Sequence, residues 1–539
     1  MKKFWNRFFV LLMALTMMLS AVSVSAMAEE TSDYRIGNGE KLVIYCVLSS
    51  QAASKYNSLN DHPAILEMEK ATGLDLEFVH PPQDDDGTFF SSVVASGMWP
   101  DIWNADFSQY PGDVDGAISD GLIININDYV NEEYMPNYMA IYNSLSPNEQ
   151  KNMVNDSGIH TKLGVSLDPV EILINEQHTG PIVRSDVLEK LGIESPVTLD
   201  DFTAMLYALK DDGFETPLGL FKFSEWTETN STFIAGAFGT LVSTTKGFLV
   251  DADGNAQYAM INDGRREYLE YLNKLYVDGI IDRDFVNRTE ADTKKLMYNG
   301  TVACMAVGNW ETREIIQLGQ TVDPSFMIQG IALPRKNADD PYTIGYRREQ
   351  GTDSNDGFQI STTCKYPELA AKWIDFQYSD LGLELMNYGP QEYDGHTIWT
   401  KDEEGHYVFD DYIINNPDVA FNTIRSWYSI DNMQAIYHAD YQKIQYDAPI
   451  CWQCWEAWGY NVSNEGHIPQ GLTLTAEESN DVVKAMSTIS AYVDEMTYKF
   501  ILGEESLDNW DAYVQQVKDL GIADVEAIYT AATARYYAR

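Results

Sequence analysis

Positive charge is what this chain has least of. Its 36 lysines and arginines stand against 82 aspartates and glutamates, a formal net charge of −46 at neutral pH. A surface this anionic repels phosphate backbones, which argues against a nucleic-acid partner; otherwise the charge reads as a well-solvated exterior. Cysteine is scarce and odd in number: Cys46, Cys304, Cys364, Cys451 and Cys454 cannot form a complete disulfide framework. The eight histidines are scattered. No Gly-x-Ser-x-Gly elbow, Gly-Lys phosphate loop, dinucleotide glycine fingerprint ahead of a helix or His-Glu-x-x-His is present. The sequence therefore names no catalytic group, metal or cofactor. Paired carboxylates are the exception, because 82 acids place some pairs at glycosidase spacing by chance.

What is present begins with a leader. Lys2, Lys3 and Arg7 precede an apolar run from Phe8 to about Ala21, and Ala26-Met27-Ala28 precedes Glu29, the layout of a secretory signal at 1–28. Its loss removes three cations and no acid, taking the charge from −46 to −49. Beyond it no apolar run reaches the roughly 18 residues that a membrane span needs. The remaining length suggests two to four domains, and 45% hydrophobic content supplies sizeable cores. Thirty-three tyrosines and 12 tryptophans provide rings able to stack on sugars, though most belong to cores.

The chain reads as built around Ser96-Gly97-Met98-Trp99-Pro100-Asp101-Ile102-Trp103, a turn stiffened by Pro100 with two indoles flanking a carboxylate. Apolar runs at 42–48 and 121–126 read as buried strands on either side. In an open α/β sheet, ligands bind at strand ends, so this turn is a candidate site; a plain surface turn with Trp99 on the core is the competing reading. Residues 61–73 predict a helix with Asp61 as cap and Gly73 as stop, crossing to a strand at 74–79. A short helix is expected from about Thr88 to Ala95, a helical segment to about Asn155, and strands at 163–166 and 171–175. Thr198 with Asp201 predicts a capped helix through Leu209.

Here the residues carry a likeness. Arg184-Ser185-Asp186-Val187-Leu188-Glu189-Lys190-Leu191-Gly192 followed by Pro196-Val197-Thr198-Leu199-Asp200-Asp201-Phe202 resembles the signature of family 1 extracellular solute-binding proteins, the capture subunits of ABC importers. Leu272–Asp282, Tyr298–Trp310, Pro367–Phe376, Met386–Gln391, Phe500–Gly503 and Leu507–Val514 resemble further stretches of LipO-like members, in the same order, and the turn at 96–101 resembles another. Pro390 and Gln391 depart from the usual pair, and no lipobox cysteine precedes Cys46.

The resemblance implies an α/β, two-lobed, type II periplasmic-binding-protein-like fold, its lobes joined by crossing strands with an interlobe ligand cleft closed by a hinge. It places one lobe at 38–167 and 333–365 and the other at 168–332 and 366–539. It implies a monomer that is extracytoplasmic, binds an oligosaccharide or related small solute and works with ABC permease subunits. A secreted glycosidase is the alternative. Candidate ligand contacts are Trp99, Asp101 and Trp103 in the turn, Asn309 and Trp310 after Gly300, and Trp226, Arg347 and Trp427 as aromatic or cationic residues in loop-like surroundings. No cofactor or metal is expected.

Two local patterns have rival readings. Asp251-Ala252-Asp253-Gly254-Asn255 begins like a calcium loop, but its glycine stands at position 4 and position 12 is Asn262, so a hairpin turn fits better. Cys451-Trp452-Gln453-Cys454 could be a redox pair or part of a metal site, or a local disulfide or plain packing; no thioredoxin-like unit surrounds it. Trp452, Trp455 and Trp458 recur along one helical face, which reads as core.

Overall fold

A computed structural model describes residues 33–83, 87–161, 163, 179–223, 232–243, 247–342, 357–416, 418–430, 433, 449–460, 462, 466–469 and 471–539. In chain order the strands that matter are β1 (Lys41–Tyr45), β2 (Asp75–Val79), β3 (Ile102–Ala105), β4 (Thr179–Arg184), β5 (Phe248–Val250), β6 (Ala256–Tyr258), β7 (Cys304–Gly308), β8 (Ile328–Gly330) and β9 (Gly357–Ile360).

The first sheet grows outward from β1. Helix Pro63–Thr72 carries the chain across from β1 to a parallel β2, and Gly73, at φ 73°, ends it in the left-handed conformation. The cap is His62, whose Nδ1 accepts from the Ala64 amide at 3.3 Å, not the expected Asp61. Next, β3 pairs in parallel with the other edge of β1, Ile44 opposite Ile102, and β9 closes that side antiparallel, Ile102 opposite Ile360. Strand order is therefore β2-β1-β3-β9. The expected strand at 121–126 is buried but pairs only at Ile123–Ser361, because β9 has already taken the edge of β3.

The second sheet is a three-stranded antiparallel β7-β4-β8. All six residues of β4 are buried, and successive ones face opposite ways. Val183 joins Cys304 and Ala306 in the large second core, while Ile182 joins Met305 and Val307 in a smaller cluster under helix Pro449–Gly459. That helix lies directly on backbone: a Cβ at Gly180 would strike the Trp458 ring, and one at Gly330 would strike Cys454. Trp458 Nε1 donates to Pro181 O at 2.9 Å. Trp455 and Trp458 are core, as the stripe suggested, and Cys451 and Cys454 are buried and not joined in a disulfide. Asp251 sits in the expected hairpin between β5 and β6, its Oδ1 accepting from the amides of Asp253 and Asn255.

The cores depart from the lobe boundaries drawn on sequence. Leu333 and Tyr342 pack in the second core, whereas Ala370, Trp373, Ile374 and Met386 pack in the first. The reason is geometric: helix Pro367–Phe376 follows β9 directly and folds back over the same sheet, Trp373 edge-on to Phe358 at 5.6 Å. The expected strands at 163–166 and 171–175 fall almost wholly outside the described residues.

The lobes also meet through helix Ile522–Ala538. Its Arg535 holds Asp156 of the first lobe at 2.9 Å and Glu478 of the second at 2.6 Å, and Tyr536 donates to Asn152 at 2.7 Å. Among the described residues no helix is long and apolar enough to cross a membrane.

Candidate functional site between the lobes

Because β1 and β3 run parallel, their carboxyl ends open on one edge of the first sheet. Leaving that edge are Cys46–Ser49 after β1 and Asp106–Tyr110 after β3. Beneath them lies a pile of rings: Trp103 is 5.5 Å from both Tyr45 and Phe90 and 6.0 Å from Phe107. On the second sheet the matching position follows β7, where Asn309–Glu311 form one turn of 3-10 helix.

A third element joins these edges. Residues 388–428 build a small apolar cluster around Tyr388, Trp399, Phe409 and Ile424, from two short hairpins and the helix Phe421–Arg425. Asn422 Nδ2 donates to Trp310 O at 3.3 Å, and the Arg313 guanidinium lies 5.9 Å from the Phe421 ring centre. A few residues on, the same segment grips the first lobe. Tyr56 OH donates to Trp427 O at 3.0 Å, Trp427 Nε1 donates to Ser54 Oγ at 3.0 Å, and the His62 ring lies 3.2 Å from Ser426 O. Residues 421–428 thus span the two lobes at their strand ends.

The expected residues separate into three groups. Trp310 and Trp427, both half-buried, stand at opposite ends of this bridge. Asn309 is beside Trp310, fully buried, with neither side-chain amide atom hydrogen-bonded. Trp99, Asp101 and Trp103 are elsewhere: their turn enters β3 and so lies at its amino end. Asp101 Oδ2 accepts from the Val43 amide at 2.9 Å, and its own amide donates to Val43 O at 2.8 Å, splicing the turn to β1. Trp99 Nε1 donates to Val94 O at 3.0 Å. Trp103 has no exposed surface and donates to Ser361 Oγ at 2.7 Å, so it is a core ring and not an open stacking face. Trp226 and Arg347 lie outside the described residues.

The sequence reading missed Lys55, Tyr56, Arg313 and Asn422. Lys55 Nζ lies 4.7 Å from the Trp427 ring centre, 5.1 Å from Tyr428 and 5.6 Å from Tyr56, a cation over three π faces. Burial lowers its pKa, opposed by the charge of Asp394. Lys55 and Tyr56 were findable, since they follow the carboxyl end of β1; Asn422 sits in a stretch without periodicity and gave no signal.

Charge collects at two further places near these edges. Asp113, the first residue of the helix Asp113–Ser119 beyond β3, has its pKa raised to about 7, chiefly by burial and then by Asp106 and Asp115, although Ser479 of the second lobe donates to it at 3.5 Å. Behind Trp310, Lys294 joins Glu290 and Glu311, and Glu290 is likewise raised to about 7 by burial and by Glu311. Among the described residues no group of three or more His, Cys, Asp or Glu could hold a metal ion.

Two α/β lobes with facing strand ends, joined by a bridging segment, define a binding protein that holds a solute between lobes. The chain belongs to the bacterial extracellular solute-binding protein family, which it matches over residues 64–387, more than half its length. It is similar to the fructooligosaccharide ABC transporter substrate-binding protein of Streptococcus pneumoniae, 22% identical over 495 residues that cover 89% of this chain and 87% of that one. It is also similar to a polygalacturonan/rhamnogalacturonan-binding protein of Bacillus subtilis, 23% identical over 317 residues, 56% of this chain and 57% of the other. Among solved structures, the Streptococcus pneumoniae protein in complex with kestose matches with a TM-score of 0.74 at 19% identity, covering 93% of this chain and 100% of that one. An alginate-binding protein without calcium ion gives the same four figures.

Proposed function

We propose that this protein captures an oligosaccharide between its lobes and delivers it, uncleaved, to the permease subunits of an ABC importer. The observation that carries this reading is the bridge: Trp310 from the second lobe and Trp427 against the first are joined through residues 422–427 and each stays half-exposed. Indole faces stack on the apolar faces of sugar rings, and Asn, Arg and Lys groups beside them match sugar hydroxyls. Relatives named for fructooligosaccharide, polygalacturonan and alginate support the ligand class. Closure about the hinge removes water from such a cleft and strengthens its hydrogen bonds.

Calorimetric titration with kestose, pectic and alginate oligosaccharides and a peptide panel, with analysis of every recovered ligand, tests this. Tight binding of a glycan recovered intact is the expected result. Peptide binding with silence from all glycans overturns the ligand class, and a shortened glycan moves the protein to the glycosidase reading.

A further inference from the structure

The turn that presents Trp310 is costly to hold. It buries Asn309 completely with both amide atoms unpartnered, and it folds Trp310 back so closely that a Cβ on Gly308 would meet the indole. A buried amide without a hydrogen bond disfavours its conformation, so something nearby must offset it.

That support comes from helix Glu290–Tyr298. Residues 290, 294 and 298 recur at four-residue spacing on one face. Lys294 Nζ forms an ion pair with Glu290 Oε1 at 3.1 Å and donates to Glu311 Oε1. The second oxygen of Glu311 accepts from the Gly308 amide at 3.1 Å, fixing the start of the turn. Glu314 on helix Thr312–Val322 and Tyr298 complete the titratable groups facing this ammonium.

We propose that Lys294 is a positioning residue for ligand capture: by holding Glu311 it locks the Gly308–Glu311 turn and so sets where the Trp310 indole stands, with Glu290 competing for the same ammonium. The proposal rests on the reading of Trp310 as a ligand contact, and deepens it by making that lip adjustable. Two carboxylates compete for one ammonium, with Glu314 adding negative charge. When Glu290 is protonated, Lys294 serves Glu311 alone and the turn is tight; when Glu290 ionises, repulsion between the carboxylates loosens it. Burial and Glu311 bring that ionisation to about pH 7.

Hydrogen exchange of the full chain, without ligand, reads the turn directly. Lys294→Met is expected to raise exchange across residues 304–313 by about fivefold while protection of helix Leu199–Asp211 stays as it was. Lys294→Arg should restore the native rate. In the native protein, exchange in that segment, corrected for the intrinsic rate, should increase from about pH 5 to about pH 8, and Glu290→Gln should flatten that profile. Unchanged exchange at 304–313 in Lys294→Met, a rise spread evenly over the second lobe, or a native profile indifferent to pH would each overturn the proposal. Kestose titration of Lys294→Met separates the two readings. Weaker binding supports both, whereas a loosened turn with unaltered kestose affinity removes Trp310 from the ligand and overturns the positioning role, with the glycan reading still standing.

Discussion

The turn at 96–101 enters strand β3, whereas the turn at 308–311 leaves strand β7. Both carry a tryptophan beside a carboxylate, and by composition both read as ligand-contacting. Position along the strand divides them. At the amino end of β3, Asp101 spends its hydrogen bonds on Val43 and Trp99 packs on the first core, so the turn fastens the sheet. At the carboxyl end of β7, Trp310 stays half-exposed and meets a segment that reaches the other lobe. Strand direction, which sequence motifs do not announce, decides whether a rigid aromatic turn is a fastening or a lip.

The sharpest way to break this contrast is Trp103→Ala. If Trp103 is a fastening, its loss leaves a cavity among Tyr45, Phe90 and Phe107 and costs about 3–5 kcal/mol in denaturant unfolding. A variant of native stability with lost glycan binding would return it to the cleft. Trp310→Ala should do the reverse, weakening glycan binding by about 2 kcal/mol, roughly thirtyfold by calorimetry, with the melting temperature little changed. Asp101→Ala leaves the Val43 amide unpaired and is expected to lower stability by about 1–2 kcal/mol, with the affinity of the folded protein intact.

The helix Asp113–Ser119, beyond the carboxyl end of β3, offers a pH test. Asp113 has its folded pKa raised from 3.8 to about 7, so the stability it contributes is fully present below about pH 4 and is lost as pH rises through about 7. Asp113→Asn should remove about 1 kcal/mol of that fall between pH 6 and 8, followed by thermal unfolding across the range. Smallest of all, Met98→Ser at the tip of the fastening turn, where Met98 is 81% exposed, should change neither stability nor binding by more than about 0.5 kcal/mol.

Much of the fold was legible because it is local. The β-α-β opening, the Thr198–Asp201 capping box and the Asp251 hairpin each depend on residues within a few positions of one another, and all three are observed. What escaped depends on pairing across the chain. The run at 121–126 has the composition of a strand, yet β9, more than two hundred residues later, holds the edge it would need. The same late return of β9 keeps helix Pro367–Phe376 in the first lobe and displaces the expected boundary. At the site, Trp310 was visible in the segment after Gly300 and Trp427 as a ring in loop-like surroundings; the bridge between them rests on Asn422, Ser54 and Tyr56, ordinary residues whose meaning is purely spatial.

The seating of helix Pro449–Gly459 on bare backbone has a consequence for descent. Gly180 and Trp458 occupy a single volume between them and so behave as one inherited character, whereas Gly330 lies against the Cys454 Cα itself. A side chain can appear at Gly180 only in a lineage where Trp458 has already shrunk, and at Gly330 only where the helix itself has shifted.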